Sequence, residues 1–125
     1  MISPLIAKIA VPVPLYGLFD YIVPPEFSDN IQKGCRVKVP FGRKQIVGMV
    51  ISLGGESEFP VAKLKEVIEN LDGEPQTGPA LTKDVLVLLE WAAIYYQHPL
   101  GEVIFSALPK YMRQGELAAL KAEKM

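Results

Sequence analysis

The sequence contains few of the residues on which several protein classes depend. Its 125 residues include one cysteine, one histidine and one tryptophan. A single cysteine excludes an intramolecular disulfide framework and any zinc site built from several cysteines. The P-loop pattern G-x-x-x-x-G-K-[ST], the dinucleotide pattern G-x-G-x-x-G and the zinc-protease pattern H-E-x-x-H are absent as well. The common enzyme signatures are therefore missing.

Long apolar runs and a secretion signal are also missing. The most apolar stretch, 85–96, is interrupted by Glu90 and is about 12 residues long, whereas a membrane-spanning helix needs roughly 17–25 residues. The N-terminal residues have neither a basic segment nor a small-residue cleavage site, and prolines interrupt their apolar run. We therefore expect a cytoplasmic protein that makes no membrane contact.

Prolines divide the chain into a β-rich part and a helical part. Six of the eleven prolines lie in the first forty residues, where they disfavour long helices. Helical patterns follow at 82–97, with Thr82 as the candidate N-cap, and at 100–107. These patterns predict an α+β fold, a small antiparallel β-barrel or sandwich-like sheet with a C-terminal hydrophobic helical hairpin. Four short runs between the prolines have the composition of strands: 6–13, 19–23, 36–39 and 45–53.

Residues 61–71, VAKLKEVIENL, leave both helix and strand open. Their apolar positions match helical spacing, yet residues 64–69 can also be divided between the two faces of a strand, with Leu64, Glu66 and Ile68 on one face. The pair Asp72-Gly73 that follows is typical of a turn and favours the strand.

The net charge is small, but basic and acidic residues are distributed unevenly along the chain. The formal charge is −1, but residues 1–44 carry six basic and three acidic residues, and the remainder carries seven basic and eleven acidic ones. Strand alternation places Arg36 and Lys38 on one face, with Arg43 and Lys44 in the following turn. Together with Lys33, these residues form either an electropositive patch for phosphates or a solvated strand face with a basic hairpin tip.

Phe19-Asp20-Tyr21 and Phe41-Gly42 are further candidate sites. In a strand, Phe19 and Tyr21 share one face and Asp20 points to the other. The carboxylate of Asp20 can accept hydrogen bonds from hydroxyl or base N–H groups, or it is an exposed strand residue between two core aromatics. Gly42 admits the close approach of a ligand or another backbone, or it is a turn glycine and nothing more.

The remaining reactive and aromatic residues are better explained by structure. Nothing in the sequence brings Cys35 and His98 together; Cys35 is expected in the core and His98 at a helix end. Trp91, Tyr95 and Tyr96 lie on a helix that is apolar almost all round, which favours core packing over a stacking platform for bases. The residues alone therefore predict a binding domain.

Four strings, in this order, carry a resemblance to a known family. They are AKIAVPVPLYGLFDYIVP, GCRVKVPFGRKQIVGMVIS, LKEVIENLDGEP and LLEWAAIYYQHPLGEVIFSALP. Over about residues 5–115 the chain closely resembles the N-terminal 3'-DNA-binding domain of PriA, the primosomal protein N' or replication restart helicase. The resemblance implies a 3'-DNA-binding domain at 1–110 and, at 111–125, the start of a linker toward a winged-helix domain.

The resemblance further implies a site for the 3'-terminal nucleotide of a nascent leading strand. The Phe-Asp pair of the family matches Phe19 and Asp20, its Pro-Phe-Gly glycine matches Gly42, and its lysine before Asp-x-Glu-Pro matches Lys65. Asp20 would accept a hydrogen bond from the 3'-OH and repel a 3'-phosphate, while Phe19 would pack on the base or sugar. Gly42 would leave room for the base, and Lys65 would bond the base or pair with Asp20. Weaker phosphate guidance is expected from the strand and turn cations: Arg36, Lys38, Arg43 and Lys44.

The whole family protein is, by the same resemblance, an ATP-dependent 3'-to-5' DNA helicase that acts at stalled or repaired forks in replication restart, primosome assembly and DNA repair. This part is expected to lack enzyme activity, metal and cofactor, because ATP, magnesium and zinc belong to other parts of such a protein. The expected partners are a single-stranded 3' end and forked DNA, and primosome and single-strand-binding proteins through the full-length protein. We expect a bacterial monomer that is nucleoid-associated when engaged. The alternative is a small β-barrel protein–protein interaction module without DNA binding.

Overall fold

A computed structural model of the chain describes residues 4–73 and 78–113. This part contains five β-strands and three α-helices. It confirms the α+β prediction and a strand in each of the four predicted runs, although the first strand ends at Ala10 and not at residue 13. The strands are β1 (Leu5–Ala10), β2 (Phe19–Val23), β3 (Arg36–Phe41), β4 (Lys44–Gly54) and β5 (Glu69–Asn70). The helices are α1 (Lys83–Tyr95), α2 (Leu100–Ser106) and α3 (Lys110–Arg113).

The strands form one sheet in the order β2-β1-β4-β3-β5, with antiparallel neighbours throughout. The eleven-residue β4 pairs with both β1 and β3, and its Val- and Ile-rich sequence suits a strand with neighbours on both sides. β3 and β4 form a hairpin in which Phe41 pairs with Lys44, so Gly42 and Arg43 make the turn. The register between β1 and β4 shifts between Lys8 and Ile9.

Residues 65–71 link the two edges of the sheet without closing it into a full barrel. Ile22 of β2 donates its N–H to the carbonyl of Lys65 and accepts from the N–H of Val67, both at 2.9 Å. The next residue, Ile68, turns to β3 and donates to the carbonyl of Lys38 at 2.8 Å. The strand interpretation of this segment is confirmed at Glu69–Asn70, whereas Val61–Lys63 forms a short 3-10 turn.

The two faces of the sheet have different cores. Side chains such as Ile9, Val39 and Val50 pack inside the curved sheet. Met49 and Ile51 of β4 point to the opposite face, where they meet the helices. This alternation along β4 is the period-two pattern of a strand buried on both faces.

The helical hairpin begins and ends where the sequence predicts. The Thr82 hydroxyl accepts from the N–H of Val85 at 3.3 Å, so Thr82 caps α1. Pro99 separates α1 from α2, because proline cannot continue a helix. Gly101 lets α2 approach the strand region closely, since a Cβ at this position would lie 1.7 Å from the Val11 carbonyl oxygen.

Arg36 is buried, and this corrects the prediction that it lies with Lys38 on a solvated face. Its side chain is fully buried, and its Nε and Nη2 atoms donate to the two Asp72 carboxylate oxygens at 3.0 and 2.6 Å. Its Nη1 donates to the Met112 carbonyl at 2.9 Å. The guanidinium therefore ties β3 to the turn after β5 and to α3.

The predicted linker falls largely outside the described residues, since only 111–113 are described and belong to α3. The domain boundary near residue 110 stays a prediction. Among the described residues, no helix is long and apolar enough to cross a membrane.

Candidate nucleic-acid interface

A cavity of about 440 Å³ lies where β2 begins, beside the tip of the β3–β4 hairpin. It brings together the four residues that the resemblance singles out, although they lie on three separate segments of the chain. Three further aromatic side chains and a second lysine share the wall. The lining residues are Leu18, Phe19, Asp20, Tyr21, Pro40, Phe41, Gly42, Phe59, Lys63, Leu64 and Lys65.

Asp20 places a nearly buried carboxylate in this wall. Its side chain is 6% exposed; Lys8 Nζ donates to Oδ1 at 3.2 Å, and the Ser57 hydroxyl donates to Oδ2 at 2.6 Å. Lys8 lies directly opposite Asp20 in the β1–β2 register. An ionised carboxylate accepts about four hydrogen bonds, so acceptor capacity remains for a ligand hydroxyl. Lys8 forms an ion pair with Asp20. The resemblance predicts Lys65 as either a partner of Asp20 or a donor to the base.

The aromatic part of the wall is continuous with the core. The rings of Phe19 and Phe41 meet edge to face, with centroids 5.3 Å apart and planes at 88°. Tyr21 is buried, and its hydroxyl donates to the Pro40 carbonyl at 2.8 Å. Burial raises the pKa of Tyr21 above its usual value of 10.0, so the phenol stays neutral at physiological pH. These contacts fix the apolar side of the cavity.

Gly42 forms the turn at the hairpin tip. Its φ of +62° lies in the left-handed region, which glycine adopts without the steric cost of a Cβ. A two-residue hairpin loop with glycine first is typical of a II' turn. No other atom lies within 4 Å of the position that a Cβ would take, so the cavity is open above this residue.

Exposed cations surround the opening. Lys63 and Lys65 line the cavity, and Arg43 and Lys44 are exposed at the adjoining hairpin tip. Lys38 is half-buried and faces Glu69 at 3.9 Å. Arg36 is unsuited to phosphate contact because its guanidinium is buried against Asp72. The positive charge therefore lies at the tip and the cavity rim.

Cys35 and His98, the candidate nucleophile and base, lie in different environments. Cys35 is fully buried in the sheet core, as predicted, and desolvation raises the pKa of its thiol above the usual 9.0. His98 is exposed at the end of α1. Among the described residues, no group of three His, Cys, Asp or Glu side chains is arranged to hold a metal ion.

The predicted core packing of the α1 aromatics is wrong. Trp91 is 56% exposed, and Tyr95 and Tyr96 are also exposed. α1 buries Leu86 and Ala93 against the fold, because one helix face suffices to cover that side of the sheet. The opposite face projects outward, with Trp91 stacked on Tyr95 at 4.9 Å. We call this exposed side the α1 face; its large apolar residues are Val87, Leu88, Trp91, Ile94 and Tyr95.

A second and larger cavity, about 670 Å³, adjoins this helix. The loop before β2 forms its other wall, and the Tyr16 hydroxyl donates to the Gln97 carbonyl at 2.6 Å across it. Ile94 belongs both to this groove and to the α1 face. The groove and the α1 face thus form one apolar surface, on the helical side of the molecule.

Four residues at the first cavity were missed from the sequence. Lys63 stands two residues before Lys65, but only Lys65 matches the family's lysine before Asp-x-Glu-Pro. Lys8 can be identified as the partner of Asp20 only once the β1–β2 register is known. Ser57 and Phe59 lie between β4 and the Val61–Lys63 turn, where no periodic pattern indicates which way a side chain points.

Comparison with known proteins gives a consistent family. Residues 8–109 match a family described as 3'DNA-binding domain (3'BD). The chain is 43% identical over 113 residues to the Replication restart protein PriA of Haemophilus influenzae, covering 90% of this chain and 15% of that protein. It is 34% identical over 111 residues to the protein of the same name from Buchnera aphidicola subsp. Schizaphis graminum, covering 88% of this chain and 14% of that protein. The chain therefore spans about 15% of the length of the relatives it matches.

Proposed function

Because the chain belongs to the family of the PriA 3'DNA-binding domain (3'BD), we propose that it binds the free 3'-OH end of a DNA strand in the cavity at the start of β2. One observation carries this proposal. A nearly buried carboxylate, an open turn glycine and two lysines converge on a single cavity beside an exposed basic tip. Such a cavity accommodates one nucleotide rather than the side of a duplex.

Asp20 supplies the selectivity for the end. A 3'-OH donates a hydrogen bond to a carboxylate oxygen, whereas a 3'-phosphate offers only negative charge and acceptors at neutral pH. The low exposure of Asp20 strengthens both the attraction and the repulsion, since solvent screens them less than at an open surface. Lys8 and Ser57 hold the carboxylate in place.

Other residues would contact the base and the phosphates. The open space at Gly42 would leave room for a base, and stacking on an aromatic side chain would hold that base with little dependence on sequence. Lys65, which lines the cavity, would donate to a base acceptor. Arg43 and Lys44 at the exposed hairpin tip would contact the phosphates that precede the terminal nucleotide, a contribution that weakens with salt. Lys38 contributes less, because Glu69 faces it.

In the whole restart protein, this domain would recognise the nascent leading-strand end at a stalled or repaired fork. ATP-dependent 3'-to-5' helicase activity, and the ATP, magnesium and zinc that go with it, would reside in other parts. The domain itself would bind DNA as a non-catalytic, cofactor-free monomer in the bacterial cytoplasm. Primosome and single-strand-binding proteins would be reached through the full-length protein.

The test is a binding titration with a short single strand carrying a 5' fluorescent label and ending in either 3'-OH or 3'-phosphate. We expect the 3'-OH strand to bind about tenfold more tightly or better, as for a hydrogen bond to a charged group. Asp20→Ala should remove this preference. Fluorescence anisotropy measures both affinities.

Lys44→Ala provides the matched control. It should weaken both strands alike and leave their ratio unchanged, because Lys44 lies at the hairpin tip outside the cavity lining. Equal binding of the two ends by the unaltered protein would refute end recognition.

The α1 face favours a second function, contact with protein. Its five large apolar side chains are exposed, and soluble monomers rarely leave a contiguous apolar patch of this kind uncovered. Asp84 and Glu90 lie on the same helix with Lys83 as the counter-charge, so this side does not attract phosphates. Because about 85% of the length of a relative lies outside the matched region, we propose that another part of the same restart protein covers the α1 face.

A further inference from the structure

Phe59 presents an aromatic ring at the mouth of the proposed nucleotide cavity. It lies in the loop 55–60 between β4 and the Val61–Lys63 turn, lines the same cavity as Asp20, and is 58% exposed. A side chain this exposed contributes little to the core. Val61 is also an exposed apolar residue, yet it does not line the cavity.

A chain of two hydrogen bonds joins the backbone of Phe59 to the carboxylate of Asp20. The Ser57 hydroxyl donates to Asp20 Oδ2 at 2.6 Å and accepts from the backbone N–H of Phe59 at 3.1 Å. The one hydroxyl therefore fixes the backbone of Phe59 relative to Asp20. The point from which the Phe59 side chain projects is therefore set relative to Asp20, and rotation about its two side-chain torsions directs the ring.

Phe19, the aromatic expected to pack on the nucleotide, is less available. Its ring meets Phe41 edge to face and packs partly buried against the sheet core. A base needs an open ring face, because stacking pairs two π surfaces. Phe59 offers more open ring surface than Phe19.

We propose that Phe59 is the stacking partner of the 3'-terminal base and that Ser57 is a positioning residue that holds this ring at the correct distance from Asp20. The proposal rests on the proposed function and assigns it a further binding residue. It predicts that tight binding needs both a terminal hydroxyl, which Asp20 binds, and a terminal base, which stacks on Phe59.

The test compares a strand that has a complete 3'-terminal nucleotide with one whose terminal nucleotide is abasic, both ending in 3'-OH. Phe59→Ala should weaken binding of the complete strand by about 5-fold to 150-fold, the range that corresponds to loss of one base–aromatic stack. Binding of the abasic strand should change little. Phe59→Tyr keeps a ring and should behave as the unaltered protein does, and Val61→Ala is the matched exposed control.

Ser57 has its own readout. Ser57→Ala should reduce the ratio between complete and abasic strands, because the ring is no longer held, and Ser57→Thr should restore it with its hydroxyl. A merely structural loss would weaken both strands equally and leave the ratio unchanged.

The outcomes separate this inference from the proposed function. If Phe59→Ala weakens both strands equally, or neither, while Asp20→Ala still abolishes the 3'-OH preference, the stacking assignment is wrong and end recognition stands. If the unaltered protein has no 3'-OH preference, the proposed function fails, whatever Phe59 does.

Discussion

Arg36 and Lys38 lie two residues apart on β3 and have opposite environments. Arg36 is fully buried and makes a two-pronged contact with Asp72. Lys38 is half-buried, and its closest approach to Glu69 is 3.9 Å. A planar guanidinium satisfies a buried carboxylate with two parallel hydrogen bonds, which an ammonium group cannot do. Arg36 thus stabilises the fold and Lys38 remains partly exposed, although strand alternation assigns both side chains to the same face.

Replacing these residues by methionine should separate the two roles. Arg36→Met leaves the buried Asp72 carboxylate without its charged partner and with the backbone N–H of residue 36 as a remaining donor. We expect the free energy of unfolding to fall by about 3–5 kcal/mol. Lys38→Met removes a long, partly solvent-screened pair with Glu69 and should cost less than about 1 kcal/mol. Urea unfolding followed by circular dichroism measures both values. If the two variants lost similar free energies of unfolding, the Arg36–Asp72 pair would stabilise the fold no more than the Lys38–Glu69 pair does.

At the scale of secondary-structure elements, the close packing of α2 on the strand region shapes the helical side of the fold. Gly101, in the first turn of α2, lies against the backbone of Val11 just beyond β1. Ile104 and Phe105 of α2 then reach the core beneath β4. A side chain at position 101 would hold the helix away from this core. The glycine is therefore required by close approach rather than by a turn.

Gly101→Ala should destabilise the protein although alanine is the better helix former. The new Cβ would lie 1.7 Å from the Val11 carbonyl oxygen, and relief of such overpacking costs about 1–3 kcal/mol, more than the roughly 1 kcal/mol gained from helix propensity. Gly55→Ala is the control, because its Cβ would meet no atom within 4 Å. Thermal unfolding compares the two, and a Gly101 variant as stable as the control would contradict the close-packing explanation.

At the scale of the whole molecule, two neighbouring surfaces meet at Leu18, which lines both cavities. The cavity at β2 combines an aromatic wall with Asp20 and two lysines. The α1 face and its groove are largely apolar and belong to the helical hairpin and the loop before β2. Under the proposed function, a strand end in the first cavity would therefore lie next to a protein bound on the helical side.

The protein-contact surface is tested by mixing this chain with the Haemophilus influenzae restart protein from which the matching region has been removed. We expect binding, and we expect the paired change Trp91→Ser and Ile94→Ser to weaken it by about tenfold or more, since central aromatic residues dominate interfaces. Val61→Ser, an exposed apolar residue elsewhere, should have little effect. Surface plasmon resonance measures the affinities. A paired variant that instead weakens single-strand binding would make the α1 face a stacking platform for bases.

Local patterns predicted the elements well because they depend on local chemistry. The hairpin turn at Gly42, the cap at Thr82 and the helix break at Pro99 are each decided by the conformational limits of one residue. The segment 61–71 was harder, because its apolar spacing fits two periods. Hydrogen bonds to β2 and β3 hold residues 65–71 in an extended conformation, whereas Val61–Lys63 forms a 3-10 turn. For the candidate site, the sequence supplied four residues through a family resemblance and none of their distances.

The sequence by itself determined the α+β class, the order and approximate bounds of the strands and helices, the buried Cys35 and the basic hairpin tip. Only the tertiary structure decided that Arg36 faces inward, that the α1 aromatics face outward, and that Ser57 and Phe59 stand beside Asp20. For Arg36 and the α1 aromatics, periodicity along the chain shows which side chains share a face, but whether that face is buried depends on what packs against it from distant parts of the chain. For Ser57 and Phe59, the loop has no periodicity, and contacts with β2 decide where the side chains lie.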